Sequence, residues 1–199
     1  MPDTPSTVRV WDRFVRVFHW SLVTAFATAW FSTESIGGLH KGAGYATLAL
    51  VVARVIWGFV GSHHARFASF VPGPKKLWRY LGAVLAQREP RHLGHNPAGA
   101  MMILALLLLV AGIGVSGWML TLDAFWGNGS VETLHTLLVD ATVLAVLVHV
   151  GANVYGSWRH RENLILSMVT GRKPGGTTEA PALPRADDAD RPELTTRLR

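Results

Sequence analysis

Residues 132–158 read ETLHTLLVDATVLAVLVHVGANVYGSW, an apolar stretch long enough to cross a membrane. His135 and His149 lie within it, 14 residues apart. At about 100° per residue, a helix places these side chains roughly 40° apart around its axis and roughly 21 Å apart along it. One helix would therefore present two imidazoles from one face, one near each side of a bilayer about 30 Å thick. Ionisable residues within membrane spans are costly and usually functional.

The composition points to a membrane protein. The chain has 199 residues, enough for one domain, and 49% of them are hydrophobic. It contains no cysteine, which excludes disulfides, thiolate-held iron–sulfur clusters and haem attached covalently through C-x-x-C-H. The net charge is +6, but the cations flank apolar runs, which favours membrane topology over nucleic-acid binding. We expect no cleavable signal peptide, because the first apolar run lacks a small-residue cleavage site.

Hydropathy predicts an all-α membrane protein, a bundle of four transmembrane helices within residues 1–173. The segment 174–199 is rich in Pro, Ala, Asp, Thr and Arg and predicts a disordered cytoplasmic tail. Residues 75–85 mix cations with Trp, Tyr and Leu, which is typical of a helix lying in the membrane interface. The predicted spans are about 14–33, 40–60, 97–121 and 132–158.

The distribution of Lys and Arg predicts the orientation. These cations concentrate before the first span, in the loop 61–96 and after the fourth span, whereas the turns 34–39 and 121–131 contain none. The positive-inside rule therefore places both termini and the long loop in the cytoplasm of a bacterial cell, with the protein in the inner membrane. The two short turns then face the opposite, outer side.

With that orientation, four histidines fall at two depths. His40 and His135 open the second and fourth spans at the outer side. His19 and His149 lie near the cytoplasmic side. A single membrane histidine is more often a hydrogen-bonded bundle residue than a ligand, but two level pairs on three helices are what two planar cofactors between helices require. Haem iron with two axial imidazoles meets that description.

Neither a di-iron site nor a zinc site fits these residues as well as haem does. A di-iron site requires Glu and a Glu-x-x-His pattern, and we expect no interior carboxylate partner in the spans. Zinc would require further ligands at one depth.

Arg54 lies 14 residues past His40, near the depth of His149, and either pairs with propionates of the inner haem or extends to the cytoplasmic surface.

The remaining histidines lie in cytoplasmic loops and are predicted to be surface residues. For His95, a second expectation is a place beside the inner cofactor or a quinone. They are His63, His64, His92, His95 and His160.

Residues 8–173 resemble the bacterial dihaem cytochrome b561 family, which includes the b-type cytochrome subunits of nickel–iron hydrogenases. The resemblance implies a four-helix bundle with two non-covalent b haems, and the family's ligand positions fall on His19, His40, His135 and His149. No single motif carries it. The matching segments are VWD at 10–12, Arg16, HW at 19–20, HKGAGY at 40–45, Arg54, WGFVG at 57–61, ARF at 65–67, GHNP at 94–97, ETLH at 132–135, HV at 149–150, HRENL at 160–164, Met168 and TGRK at 170–173.

The resemblance implies electron transfer across the membrane between a periplasmic redox partner, such as a hydrogenase, another oxidoreductase or a c-type cytochrome, and the quinone pool. An electron-transfer subunit is favoured over an independent enzyme, because two axial histidines fill both iron sites and disfavour oxygen binding. Two alternatives stay open at this point. One is a separate oxidoreductase acting on superoxide or another small molecule. The other is a haem-free membrane transporter whose histidines bind ions.

Overall fold

The fold is given by a computed structural model that describes residues 7–32 and 38–175. Most of the predicted turn at 34–39 and nearly all of the predicted tail at 174–199 lie outside the described residues. The first part of the N-terminal lead-in, residues 1–6, also lies outside them. All statements about the structure below concern the two described ranges.

Four long helices occupy the four apolar stretches of the sequence, and shorter elements connect or follow them. Two 3-10 turns lie in the connections between helices, at His63–Ala65 and Asp123–Phe125. In chain order the elements are β1 (Thr7–Arg9), α1 (Arg13–Phe31), α2 (Leu39–Val60), α3 (Phe67–Phe70), α4 (Pro74–Leu85), α5 (Pro97–Met119), α6 (Gly129–His160), α7 (Leu164–Thr170) and β2 (Arg172–Pro174).

Side-chain caps determine where three of the long helices begin. The Asp12 carboxylate accepts a hydrogen bond from a backbone N–H in the first turn of α1, at 2.7 Å. Asn96 caps α5 in the same way at 2.6 Å, and Pro97 follows it at the first helical position, where no N–H is needed. Asn128 caps α6. Each cap satisfies backbone donors that lack a partner inside the helix.

The long helices pack in the order α1, α2, α5, α6, each against the next. Two glycines on α5 permit the close approaches. A Cβ on Gly114 would lie 2.9 Å from the Leu48 side chain on α2, and a Cβ on Gly112 would lie 3.1 Å from the Leu138 side chain on α6. Small residues at such positions let helix backbones approach closely inside a membrane. Within the described chain, α6 does not pack closely against α1 or α2, so space remains between them.

Much of the helix surface is both apolar and exposed. Leu108 is 75% exposed and Leu144 is 64% exposed, and both lie in the middle of long helices. Three helices are long and apolar enough to cross a membrane, namely α2, α5 and α6. Such a surface is costly in water and suits a hydrocarbon environment. The protein is therefore a mostly helical membrane protein.

The two ends of the described chain meet in a short antiparallel pair of strands. Thr7 lies opposite Pro174 and Arg9 lies opposite Arg172 in the register of β1 and β2. The backbone N–H of Val10 continues the contact by donating to the Gly171 carbonyl at 2.9 Å. After α6 ends at His160, the chain forms α7 and then the extended residues 172–174.

Candidate functional site

His40 and His135 face each other across the gap between α2 and α6. Their ring centroids lie 6.3 Å apart, and the ring planes make an angle of 71°. His40 lies one residue after the start of α2, and His135 lies in the second turn of α6. The hairpin formed by α5 and α6 and the pairing of α1 with α2 bring these two helix starts to the same end of the bundle.

The His40 ring is oriented by backbone carbonyls at the end of α1. Its Nδ1 lies 2.9 Å from the Ala29 carbonyl oxygen and 3.0 Å from that of Ser32. Because carbonyl oxygens only accept hydrogen bonds, Nδ1 carries the hydrogen and donates it. The neutral ring then has its lone pair on Nε2, the tautomer a metal ligand needs.

A side chain of α5 orients the His135 ring in the same tautomer. The Ser116 hydroxyl donates to the Gly112 carbonyl at 2.8 Å and lies 2.9 Å from Nδ1 of His135. With its own hydrogen engaged, the hydroxyl accepts the Nδ1 hydrogen, which again leaves Nε2 as the free acceptor. Ser116 is buried, and a Cβ at the neighbouring Gly117 would lie 3.1 Å from Cε1 of the ring. The His135 ring is thus held on both sides by α5.

The separation of the two rings fits a shared metal. Imidazole–metal bonds of about 2.0–2.1 Å, the length typical of zinc, plus about 1.1 Å from each nitrogen to its ring centroid, place two axial imidazole centroids about 6.3 Å apart. The donor set, two imidazoles with Nε2 free, and this separation fit a haem.

His19 and His149 are brought to the opposite end of the bundle and interact electrostatically. The Nδ1 atom of His19 is buried, with no hydrogen-bond partner in the described chain. The Nε2 atom of His149 lies 3.3 Å from the side-chain nitrogen of Asn153, whose amide also donates to the His149 carbonyl at 2.7 Å. This pair is less well arranged for a metal than the outer pair, because the Asn153 amide has to turn away before Nε2 can bind one.

Arg54 is held inside the protein, where it is only 3% exposed. Its Nη2 donates to the Ala65 carbonyl at 3.1 Å, and its guanidinium lies 5.3 Å from the centroid of the Phe67 ring. Asp12 interacts with it electrostatically. The other terminal nitrogen, Nη1, is buried without a partner in the described residues. Of the two arrangements that the sequence left open, extension to the surface does not describe this side chain.

His95 is not the surface residue that its loop position suggested. Its ring lies between Trp11, with centroids 4.5 Å apart, and Phe70, with centroids 5.0 Å apart. Burial, reinforced by the nearby positive charge of Arg54, lowers the pKa of His95 to about 3. The imidazole is therefore neutral at pH 7. It also interacts electrostatically with His149, so it lies towards the inner pair.

A second group of charges lies buried at the same end. Arg91 and Glu162 form an ion pair through Nε and Oε1. Lys173, only 5% exposed, has its Nζ 3.5 Å from the His92 carbonyl and 5.8 Å from the centroid of the Trp11 ring. Burial lowers the pKa of Lys173, Glu162 opposes that change and Arg91 adds to it. The resemblance included Glu162 and Lys173, in the segments HRENL and TGRK, but not Arg91.

A di-iron site would require a carboxylate inside the bundle, beside the histidines. Glu132 stands three residues before His135, the Glu-x-x-His spacing of di-iron bundles. Its side chain is exposed, however. In the two described ranges, no three His, Asp or Glu side chains come together as a metal-binding group. Histidine pairs, and not larger clusters, are therefore the geometry to explain, and a porphyrin supplies the remaining iron ligands itself.

Comparisons with known proteins identify the family of the chain. A family profile described as prokaryotic cytochrome b561 matches residues 10–171. Similar proteins include one from Bradyrhizobium diazoefficiens, 28% identical over 84% of this chain and 86% of the relative. A second from Azotobacter vinelandii is 27% identical over 83% and 88%, and a third from Cupriavidus necator is 25% identical over 81% and 85%.

Each of these three relatives is named a probable Ni/Fe-hydrogenase B-type cytochrome subunit. No solved structure matches the chain significantly. The family match covers the four long helices, both histidine pairs and the short helices between and after them, but not strands β1 and β2. Cytochromes of this type carry haem b, which is held without covalent attachment to cysteine, in agreement with a chain that has none. The chain belongs to the prokaryotic cytochrome b561 family.

Proposed function

We propose that the chain is a dihaem b-type cytochrome that carries electrons across the bacterial inner membrane between a periplasmic redox partner and the quinone pool. His40 and His135 would be the axial ligands of an outer haem, and His19 and His149 those of an inner haem. When bound, the haems supply reversible one-electron oxidation and reduction of iron. The protein positions them and controls their surroundings.

The observation that carries the proposal is the outer histidine pair. His40 and His135 come from helices far apart in sequence, yet their centroids are 6.3 Å apart. Hydrogen bonds at both Nδ1 atoms leave both Nε2 atoms as acceptors. A pair of histidines that served only to join the helices would use one ring as donor to the other, and these rings are too far apart for a direct hydrogen bond of about 3 Å.

A count of membrane crossings supports α1 as the fourth span. Strands β1 and β2 pair, so the chain before α1 and the chain after α6 lie on the same side of the membrane. An even number of crossings must separate them, and α2, α5 and α6 make three. Helix α1 has 19 residues, or about 28 Å at 1.5 Å per residue, close to the thickness of a bilayer core. Its Arg16 donates to the Val169 carbonyl at 2.7 Å, which anchors the charged end on the cytoplasmic side.

Arg54 is proposed to bind a propionate of the inner haem. Its guanidinium is buried, one terminal nitrogen has no partner in the described chain, and the pair His19 and His149 lies at the same end. A buried guanidinium binds a carboxylate with paired, charge-assisted hydrogen bonds. Asp12 already offsets part of its charge, so the site would accept one further anionic group without leaving a large net charge.

The redox partner is proposed from the relatives. They are named hydrogenase cytochrome subunits, and this chain aligns with them over more than four fifths of both lengths. A hydrogenase or a similar oxidoreductase would meet the outer haem, and a quinone would exchange electrons at the inner end. His95, half-buried and neutral at pH 7, lies near that end and gives the quinone side a group that can accept a hydrogen bond.

The test is haem counting on the purified protein by pyridine haemochrome. The wild type should hold two haems b per chain. His40→Ala and His135→Ala should each lose the same haem, and His19→Ala and His149→Ala should each lose the other, as seen from the remaining spectrum. His63→Ala, an exposed loop histidine, is the matched control and should keep both. Full haem content in all four variants would overturn the ligand assignment.

A further inference from the structure

Asp140 lies near the middle of α6, on its outer surface. It comes five residues after His135, which places it about 7.5 Å further along the helix axis, towards His149. Within the part of the chain that the structure describes, its carboxylate has no hydrogen-bond or ion-pair partner. The neighbouring Leu138 faces α5 at the level of Gly112, well inside the length of that helix. Asp140 is therefore a carboxyl group at mid-membrane depth that faces away from its own bundle.

The residues around Asp140 form a continuous seam with a seven-residue repeat, called here the Asp140 seam. It alternates steps of three and four residues, and all of its members are exposed. The two histidines of α6 lie at the opposite position of the same repeat, which explains why the seam points outwards. The members are Leu137, Asp140, Leu144, Leu147, Gly151, Val154 and Trp158.

A carboxyl group cannot remain alone at this depth. Ionisable side chains in membrane spans almost always face a bundle interior or a water-filled cavity, or pair with another polar group. Asp140 does none of these among the residues that the structure describes. Lipid tails offer no hydrogen bond, so the partner must be another protein helix on this face. Polar side chains are also what holds helices together in a membrane, where apolar contact alone gives little preference over lipid.

We propose that the Asp140 seam pairs with the same seam of a second copy of this chain. Copies in one membrane share one orientation, so two α6 helices meet in parallel, and equal positions lie opposite each other across a two-fold axis. The two Asp140 carboxyls then meet. With one of them protonated, that group donates its O–H to the carboxylate of the other. Each carboxyl group then has the polar partner that it would lack in lipid.

The sequence beside the seam favours a second copy over a different protein. Flanking positions select partners in parallel helix pairs through their charges. Here the flanking positions are uncharged throughout the apolar part of α6. They therefore offer no charge that would attract a charged helix of another protein. A single polar residue in an otherwise apolar seam instead specifies register between identical helices. The flanking residues are Thr136, Ala141, Val143, Val148, Val150 and Tyr155.

Cysteine cross-linking in native membranes tests the pairing, because the chain contains no cysteine. Leu144→Cys lies in the seam one turn from Asp140, and Leu108→Cys is an equally apolar, exposed control on α5. Oxidation should give disulfide-linked dimer of this chain at least about five-fold more with Leu144→Cys than with Leu108→Cys. Adding Asp140→Asn, which can still form a hydrogen-bonded pair, should keep the dimer. Adding Asp140→Leu should reduce it to the control level.

Each other result contradicts the proposal. Equal cross-linking at positions 144 and 108 would mean that the seam faces lipid. Unchanged cross-linking with Asp140→Leu would mean that the carboxyl does not hold the pair. A cross-link from position 144 to a different polypeptide would mean that the seam binds another protein. Circular dichroism and size-exclusion profiles show whether each variant is folded. If Asp140→Leu does not fold, the comparison of Leu144→Cys with Leu108→Cys and the result for Asp140→Asn still test the proposal.

Discussion

Ser116→Ala provides a selective test of the outer histidine pair. Among the described residues, the Ser116 hydroxyl is the side chain that holds Nδ1 of His135, at 2.9 Å, whereas His40 is held by backbone carbonyls that no substitution removes. Serine to alanine deletes one oxygen and creates almost no cavity. The change therefore acts on the orientation and basicity of one imidazole, and it leaves the inner pair untouched.

The expected magnitude follows from that single hydrogen bond. A buried hydrogen bond contributes about 0.5–1.5 kcal/mol, and leaving its donor unpaired costs about 1–3 kcal/mol. The Ile113 carbonyl also interacts with the ring and offsets part of this loss, so we expect about 1 kcal/mol. The Nδ1–H bond makes imidazole a more basic ligand, which favours ferric iron. At about 59 mV per factor of ten for one electron, its loss should raise the potential of the outer haem by about 20–40 mV.

Redox potentiometry of the purified protein measures this shift. The titration should show two one-electron steps, only one of which moves to higher potential in Ser116→Ala. Thr136→Ala is the matched control, since it removes a hydroxyl one residue from His135 that donates to the Glu132 carbonyl at 3.1 Å and contacts neither ring. Both steps should keep their wild-type positions in that variant.

Three outcomes would contradict the reasoning. An unchanged titration would show that the Ser116 hydroxyl does not hold a haem ligand. A shift of the same step to lower potential would show that Nδ1 is not the donor, and that the His135 tautomer is the reverse of the one inferred. A shift of both steps together would mean that the two sites are not independent.

Three further predictions use other parts of the structure. Gly117→Val should reduce the haem content to about one per chain by haemochrome assay, because even a Cβ there lies 3.1 Å from the His135 ring. Since the folded-state pKa of His95 is about 3 against 6.5 when unfolded, the unfolded chain gains a proton between these values. Unfolding should thus be easier by about 2 kcal/mol at pH 5 than at pH 7 in thermal melts, and His95→Gln should remove most of that dependence. Gly171→Ala should lower stability by about 1–2 kcal/mol in the same melts, because its φ is 78° and a Cβ meets a backbone oxygen at 2.8 Å. Gly73→Ala, in open space at negative φ, should have little effect and is the control.

Local sequence signals predicted the long helices well. Apolar runs, Asn and Asp caps and the proline that opens α5 specify helix positions from neighbouring residues alone, and the helix bounds differ from the predicted spans by a few residues. The histidine depths also follow from short-range rules, since a helix rises by a fixed amount per residue. His40 and His135 were predicted at one level, and their rings do lie together.

The short elements that connect and follow the long helices were not predictable in this way. His95 and Lys173 are polar residues in loops, a pattern typical of surface positions. Their burial depends on the contact between β1 and β2, which joins residues more than 160 positions apart. No periodicity reports such a pairing, because three-residue strands are too short to show one. The position of Arg54, next to Ala65 and Phe67, depends in the same way on where the loop after α2 folds back.

The sequence by itself indicated the membrane class, the long helices and four histidines as candidate ligands, because hydropathy and helical rise are local properties. The orientation that it predicts from charge stays a prediction. Only the tertiary structure decided which groups orient each ligand. Ser116 holds His135 because α5 and α6 pack closely at small residues, and the Asn153 amide lies at Nε2 of His149. It also decided that Asp140 faces outwards, since a helix has a determined outer face only once its neighbours are in place.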